Sequence, residues 1–179
     1  AVITADDVQI FDRDRFQLEK EKHEIEWDVS AAEKGGYAHF MLKEIMEQPE
    51  AVRKTISPRL ADGEIVLEEL RDAKELMKNI SRIYIVACGS AYHVGMVGKY
   101  ALEKMMHIPV EACLASEFRY SEPILGESSL VIIISQSGET LDSMAALREA
   151  MRRGSRVLST VNVMGSSIAR ESDYVLYTW

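Results

Sequence analysis

Val131-Ile132-Ile133-Ile134-Ser135-Gln136-Ser137-Gly138-Glu139-Thr140 is the stretch whose reading decides the fold. A run of apolar β-formers stops abruptly in a polar turn. The pattern that follows, Leu141-Asp142-Ser143-Met144-Ala145-Ala146-Leu147, is amphipathic with helical spacing. The sequence therefore spells buried strand, polar loop, helix start. In an open parallel α/β sheet that loop falls at the carboxyl edge of the strands, where ligands bind. It offers hydroxyls, backbone N–H groups and a helix N-terminus, a set suited to an anion. We read it as a cradle for the phosphate of a sugar phosphate, with helix capping as the competing explanation of the same hydroxyls.

Four further strand-like runs extend the pattern on both sides. Arg82–Cys88 ends in Gly89-Ser90 and leads into a helical stretch from Tyr92 to about His107. Pro109–Ala115 is the second strand, followed by Ser116–Tyr120, a short helical turn for which Ser116 is the expected cap. Ser129–Ile134 is the third strand, with a helix over Leu141–Arg153 and a stop at Gly154. Arg156–Val161 is the fourth, Gly165–Glu171 starts a short helix with a structural serine cap, and Tyr174–Trp179 is the fifth. Strands alternating with helices predict βαβ units and a parallel sheet. Right-handed crossovers place helices on both faces, and five strands fit a flavodoxin-like order, 2-1-3-4-5. The fold class is thus α/β, a flavodoxin-like five-stranded parallel sheet. No helix follows the fifth strand, so one face is expected to be short of cover.

Upstream of the sheet the signals change. Val2-Ile3-Thr4 and Val8–Phe11 read as short strands around a turn at Asp6-Asp7, and Glu19–Glu24 is a solvated run of mixed charge. Two short strands are too little for a stable domain, so this piece reads as the edge of a β-rich domain. Gly35-Gly36 sits in a linker. Tyr37, Phe40, Met41, Ile45 and Met46 then recur at helical spacing, with Lys43 and Glu44 off the stripe, which predicts an amphipathic helix packed on a neighbour with Met41 and Met46 as core-fillers, and Pro49 is expected to break or restart that helix. Asp62-Gly63 is a turn, and a second helix carries Leu67, Leu70, Ala73, Leu76, Met77 and Ile80 on one side.

Composition narrows the function. With Lys+Arg 21 against Asp+Glu 29, the net charge is −8. An acidic chain with no basic run argues against a nucleic-acid partner. No apolar run reaches membrane-spanning length, so no membrane role is expected. Cys88 and Cys113 lie in apolar segments outside any C-x-x-C, which suits a reducing cytoplasm, and with the four histidines they show no metal-ligand spacing. Neither a metal nor a cofactor is expected. The N-terminus lacks both a signal-peptide pattern and a starting methionine, and it reads like the middle of a longer protein.

Two strand-to-helix turns converge in the order 2-1-3-4-5, because strands one and three are neighbours at the switch point. They are Ala87–Tyr92 and Ser135–Thr140. Ser135, Ser137 and Thr140 supply hydroxyls, the Gln136 amide can donate to a sugar or phosphate oxygen, and Gly89, Ser90 and Gly138 allow close backbone approach. Glu139 is expected to point away, toward the start of its own helix. Cys88 reads as a small buried hydrophobe rather than a nucleophile.

Ile133-Ile-Ser-Gln-Ser-Gly-Glu-Thr-Leu-Asp142, with Ala87-Cys-Gly-Ser90 upstream, resembles the SIS (sugar isomerase) phosphosugar-binding domain. Glu33–Pro49, Ala115–Tyr120 and Asn162–Asp173 further resemble the glutamine–fructose-6-phosphate aminotransferase family, and the resemblance covers essentially the whole chain. It implies that residues 1–28 are the tail of a glutaminase domain, 29–73 the connection and leading helices, and 74–179 a first SIS domain cut after its fifth strand. It implies fructose 6-phosphate held by Cys88, Gly89, Ser90, Ser135, Gln136, Ser137 and Thr140. Ala91 stands where the family often has serine, which removes one hydroxyl and leaves a backbone N–H. It also implies an enzyme making glucosamine 6-phosphate from glutamine and fructose 6-phosphate, acting as a homo-oligomer, a dimer. The family's glutamine-cleaving cysteine, isomerising glutamate, ring-opening histidine and Schiff-base lysine fall outside this stretch, so no catalytic residue is expected in it. A non-catalytic sugar-phosphate sensor and a pure interaction domain are the alternatives, the sensor disfavoured because no basic helix-turn-helix precedes the sheet.

Overall fold

The computed structural model describes residues 1–20 and 33–179. Residues 1–46 and 47–179 form two compact units. In the first, β1 (Val2–Ile3), β2 (Val8–Phe11) and β3 (Gln17–Leu18) make an antiparallel ribbon in that order. The expected turn between the first two strands is closed by Thr4, whose N–H donates to the Asp7 carbonyl and whose hydroxyl accepts the Asp7 N–H. Asp12 Oδ1 accepts the N–H groups of Asp14 and Phe16 and so shapes the second turn, leading into a third strand that the sequence reading lacked. Of the expected charge run, 21–24 lie outside the described residues.

Helix α1 (Phe40–Ile56) corrects two expectations. It runs through Pro49 without a break. Proline's fixed φ is itself helical, and the cost is the amide bond that Pro49 cannot give to the carbonyl of Ile45. Its apolar stripe is exposed among the described residues: Met41 is 72% exposed and Met46 59%. The buried residue of α1 is Lys43, whose Nζ donates to the Glu33 carbonyl.

In the second unit a 3₁₀ turn (Ser57–Arg59) leads to a hairpin of β4 (Leu60–Ala61) and β5 (Glu64–Ile65). Asp62 (φ 52°) and Gly63 (φ 82°) both adopt positive φ at its tip, as a tight two-residue hairpin loop requires. The expected second helix is split into a 3₁₀ segment (Glu68–Ala73) and a short α2 (Lys74–Lys78), with Ala73 and Ile80 buried and Leu70 and Met77 half-buried. Arg59 ties this region to the end of the sheet, donating to Glu69 Oε1 (2.6 Å) and to the Tyr177 carbonyl (2.9 Å).

The sheet then follows as β6 (Arg82–Ala87), α3 (Ser90–Met106), β7 (Val110–Leu114), α4 (Ala115–Phe118), β8 (Ser129–Ser135), α5 (Leu141–Arg152), β9 (Arg156–Val161), α6 (Ser167–Glu171) and β10 (Tyr174–Tyr177). Its strand order is β10-β9-β8-β6-β7, all neighbours parallel. Counted within the sheet, this is the expected 2-1-3-4-5. The pleat sorts the side chains cleanly. Tyr84, Val86, Val131, Ile133, Val157 and Val161 meet Phe118, Met144, Leu147 and Ile168 on one face. Ile83, Ile85, Leu130 and Leu158 meet Ile80 and Val110 on the other. Cover is uneven, because Val131 and Ile133 are fully buried while Ile132 and Ile134 are only half-buried. Helix α3 seats closely through Gly95 and Gly98, where an added Cβ would lie 3.0 and 3.2 Å from Ile85 side-chain atoms.

Ser116 does not cap α4. It lies inside the helix, which begins at Ala115, and Leu114 occupies the cap position with no side-chain bond. Burial of Phe118 and Ala115 fixes the turn instead. At the end of α5, Glu149 accepts from Arg152 Nε (2.9 Å) and Nη2 (2.8 Å) and from Arg153 Nε (2.5 Å). These guanidinium bonds pull its carboxyl down to about 2. A depressed folded-state value stabilises the fold above the usual carboxylate range, and that stability is lost as pH falls from about 4.5 toward about 2. Urea midpoints across that window should fall less steeply for Glu149→Gln than for the native chain; parallel curves would contradict this.

Candidate functional site

Register places the two polar loops side by side. Ala87 of β6 pairs with Ile134 of β8, so Cys88 and Ser135 leave the sheet together at its carboxyl edge. Helix α5 links them: Ser143, fully buried in its first turn, has its Oγ 3.9 Å from Cys88 Sγ. Cys88 is half-buried and packs against the core, as a small hydrophobe does. Cys113 is also a free thiol, and burial, followed by the nearby Glu111 carboxylate, pushes it up to about 12, so it is no nucleophile.

The 135–140 loop is built largely from its own hydroxyls. Ser135, buried, accepts the Gly138 N–H at 3.1 Å and pairs with Thr140 Oγ1 at 3.2 Å. Ser137 Oγ accepts the Glu139 N–H at 3.2 Å. These bonds shape the turn and leave the helix start alone. Thr140 sits in the cap position of α5 without a side-chain cap bond, and the cap position of α3 is held by Gly89, which has no side chain to cap with. The capping explanation of these hydroxyls therefore fails on geometry. In each helix the earliest N–H groups have no intrahelical partner, and with the positive end of the helix dipole they face the carboxyl edge of the sheet. The first α5 amide to bond back is that of Met144, to the Thr140 carbonyl at 3.0 Å.

Two glycines make the turns possible. Gly89 has φ 57° and ψ −136°, a region that only glycine enters freely. Gly138 has φ +65°, and a Cβ there would lie 2.0 Å from Ser166 Oγ and 2.5 Å from Ser166 Cβ. Ser166 is buried and its Oγ has no partner among the described residues, so it is not the structural cap of α6 that its position suggests. The bond at that helix start comes from Glu139, whose Oε1 accepts the Ser167 N–H at 2.7 Å. Glu139 does point away from the loop mouth, but it serves α6 rather than its own helix.

Gln136 is exposed at the rim, where its Nε2 donates to Asn162 Oδ1 at 3.4 Å. Asn162 is half-buried and also binds the Gln136 carbonyl through its own N–H (3.1 Å) and the Thr178 carbonyl through Nδ2 (2.8 Å). Asn162 was not singled out in the sequence. The available signal was its place directly after the fourth strand, at the same carboxyl edge. Among the described residues no group of three or more His, Cys, Asp or Glu converges as a metal site would require. A cleft of about 330 Å³ lies at the opposite end, at the amino ends of β6 and β7, lined by Arg82, Lys99, Glu103, Pro109, Val110 and Glu111. There Lys99 is spent on Glu103 (2.9 Å) and on the Val110 carbonyl (2.5 Å), and Arg82 donates to the Tyr84 hydroxyl (3.2 Å).

Residues 76–179 match the SIS domain family. This chain belongs to that family. Its SIS segment is more than half of the chain, and its sheet order and two-loop edge are those described above. Over 179 residues the chain is 54% identical to glutamine–fructose-6-phosphate aminotransferase [isomerizing] of Clostridium acetobutylicum, covering 99% of this chain and 29% of that protein. The protein of the same name from Caldanaerobacter subterraneus is also 54% identical, over 100% of this chain and 30% of that one. The chain thus spans less than a third of the length of these curated relatives. Among solved structures, the C-terminal domain of glucosamine-fructose-6-phosphate aminotransferase from Francisella tularensis superposes with a TM-score of 0.76 at 46% identity, covering 82% of this chain and 41% of that one. No helix among the described residues of the SIS chain is long and apolar enough to cross a membrane.

Proposed function

We propose that this chain is a segment of a glutamine–fructose-6-phosphate aminotransferase and that its share of the work is to hold the phosphate end of the sugar phosphate. The observation that carries the reading is the pair of uncapped helix starts at adjacent strand ends, Gly89-Ser90 and Ser135–Thr140, in a chain 54% identical to enzymes of that name. In this assignment residues 1–28 close a glutaminase domain, 29–73 connect it, and 74–179 are the first SIS domain. The whole protein would work in the cytoplasm as a dimer, transferring glutamine-derived ammonia to fructose 6-phosphate and isomerising the product to glucosamine 6-phosphate.

The chemistry assigned to this segment is electrostatic. Backbone amides at the α3 and α5 starts and the hydroxyls of Ser90, Ser137 and Thr140 surround the phosphate oxygens, while Gln136 reaches the sugar from the rim. Ser135 holds the loop in shape from below, and Cys88 fills the space between the loop and α5. Fixed dipoles serve a dianion without a lysine, because they need no reorganisation when it arrives. Proton transfer, ring opening and amine transfer are assigned to residues outside this stretch.

The test is calorimetric titration of fructose 6-phosphate into the chain and into Ser137→Ala/Thr140→Ala. Each lost hydroxyl is worth roughly 0.5–1.5 kcal/mol, so the double variant should bind at least about fivefold more weakly. Equal affinity would remove the loop from the site.

A further inference from the structure

Glu139 is the only carboxylate in the 135–140 loop, and beside a bound phosphate its charge opposes binding unless it is directed elsewhere. The structure directs it elsewhere. Its Oε1 accepts the Ser167 N–H at 2.7 Å, within the 162–168 connection that leads from β9 into the first turn of α6. The next amide, Ile168 N–H, donates to the Gly138 carbonyl at 3.0 Å. Ser166 fills the space over Gly138, and Asn162 grips Gln136 through its backbone and its side chain. The 162–168 connection thus holds the loop at Gln136, Gly138 and Glu139.

We propose that Glu139 is a positioning residue for sugar-phosphate binding: through Ser167 it clamps the 135–140 loop in its binding shape and keeps its own charge off the anion. The inference rests on the reading of this loop as the sugar-phosphate site. Bonding to the Ser167 amide also holds the Glu139 carboxyl below its ordinary range, so the acceptor stays ionised at neutral pH.

The sign of one substitution separates clamp from bystander. If Glu139 were only a nearby negative charge, Glu139→Ala would tighten the binding of fructose 6-phosphate. As a clamp, its loss should weaken binding by about tenfold, the scale of a charge-assisted hydrogen bond. Glu139→Gln keeps an acceptor oxygen without the charge and should recover most of that loss. The measurement is titration of fructose 6-phosphate into the full 179-residue chain and both variants, with the Ser167 amide proton followed by NMR in the free protein. That proton should move upfield in Glu139→Ala and stay near its native position in Glu139→Gln. Native binding with equal or tighter affinity in Glu139→Ala, or an unmoved Ser167 proton, overturns the clamp alone. No binding by the native chain overturns the sugar-phosphate reading and the clamp with it.

Discussion

Gly138→Ala should abolish measurable fructose 6-phosphate binding and destabilise the fold by about 2–4 kcal/mol, the sum of left-handed backbone strain and overpacking. Both costs have a located cause. At φ +65° alanine is held where its Cβ crowds its own backbone. That Cβ would also meet Ser166 at 2.0 and 2.5 Å, and because the nearer contacts include Ser166 Cβ, a hydroxyl rotation cannot relieve them. The loop or the 162–168 connection must move, which disturbs the Ile168–Gly138 bond and the shape on which the site depends. Adding Ser166→Gly removes the clash and leaves the φ cost, so the double variant should regain part of the stability. Urea denaturation read beside the sugar-phosphate titration checks both. A Gly138→Ala chain with native stability and affinity would mean that the loop is not built as described.

Phe118→Ala carries the largest expected stability loss, about 3–5 kcal/mol, typical of deleting a buried aromatic ring. Among the described residues Phe118 is the largest fully buried side chain, and its ring meets Tyr84 edge-on with centroids 5.7 Å apart. It packs in the cluster with Val131, Ile133, Met144 and Leu147, joining β6, β8 and α5, the elements that lead into both loops. With roughly 2–4 °C per kcal/mol for a chain of this size, the melting temperature should fall by about 6–20 °C. Tyr120, two residues on and 69% exposed, is the control; Tyr120→Ala should change stability by no more than about 0.5 kcal/mol. Comparable losses for the two would refute the assignment of Phe118 to the core.

Much of the sheet was legible because its signals are local and physical. Each strand is a short run rich in apolar residues, and the alternation with helical spacing leaves few topologies open. The strand order followed, and with it the meeting of Cys88–Ser90 and Ser135–Thr140. What was not legible depends on contacts distant in sequence. Ser116 looked like a cap, but the buried ring of Phe118 sets that turn. Ser166 looked like a cap, but it fills the gap over Gly138 while Glu139 bonds to the start of α6 at Ser167, twenty-eight positions further on. Pro49 looked like a break, yet one missing amide bond did not end the helix. The stripe of Met41 and Met46 predicted burial, whereas the charged Lys43 is the residue of α1 that is buried. Periodicity says which side of a helix is apolar; it cannot say what covers it.

The site residues divide along the same line. Residue type and position nominate Ser135, Ser137 and Thr140 as donors, since hydroxyls at a strand–helix junction either cap or bind. Only coordinates separate the two, by leaving Thr140 without a side-chain cap bond. Asn162, which fastens Gln136, is invisible to motif reading because its partners come from other strand ends.

The most direct test of the central claim is to titrate the isotope-labelled chain with fructose 6-phosphate and follow every backbone amide. The account predicts saturable shifts at millimolar ligand confined to the edge that holds Cys88–Ala91 and Ser135–Leu141. An unmoved set of amides there, or shifts gathered instead at the Arg82–Glu111 cleft on the opposite end of the sheet, would contradict it.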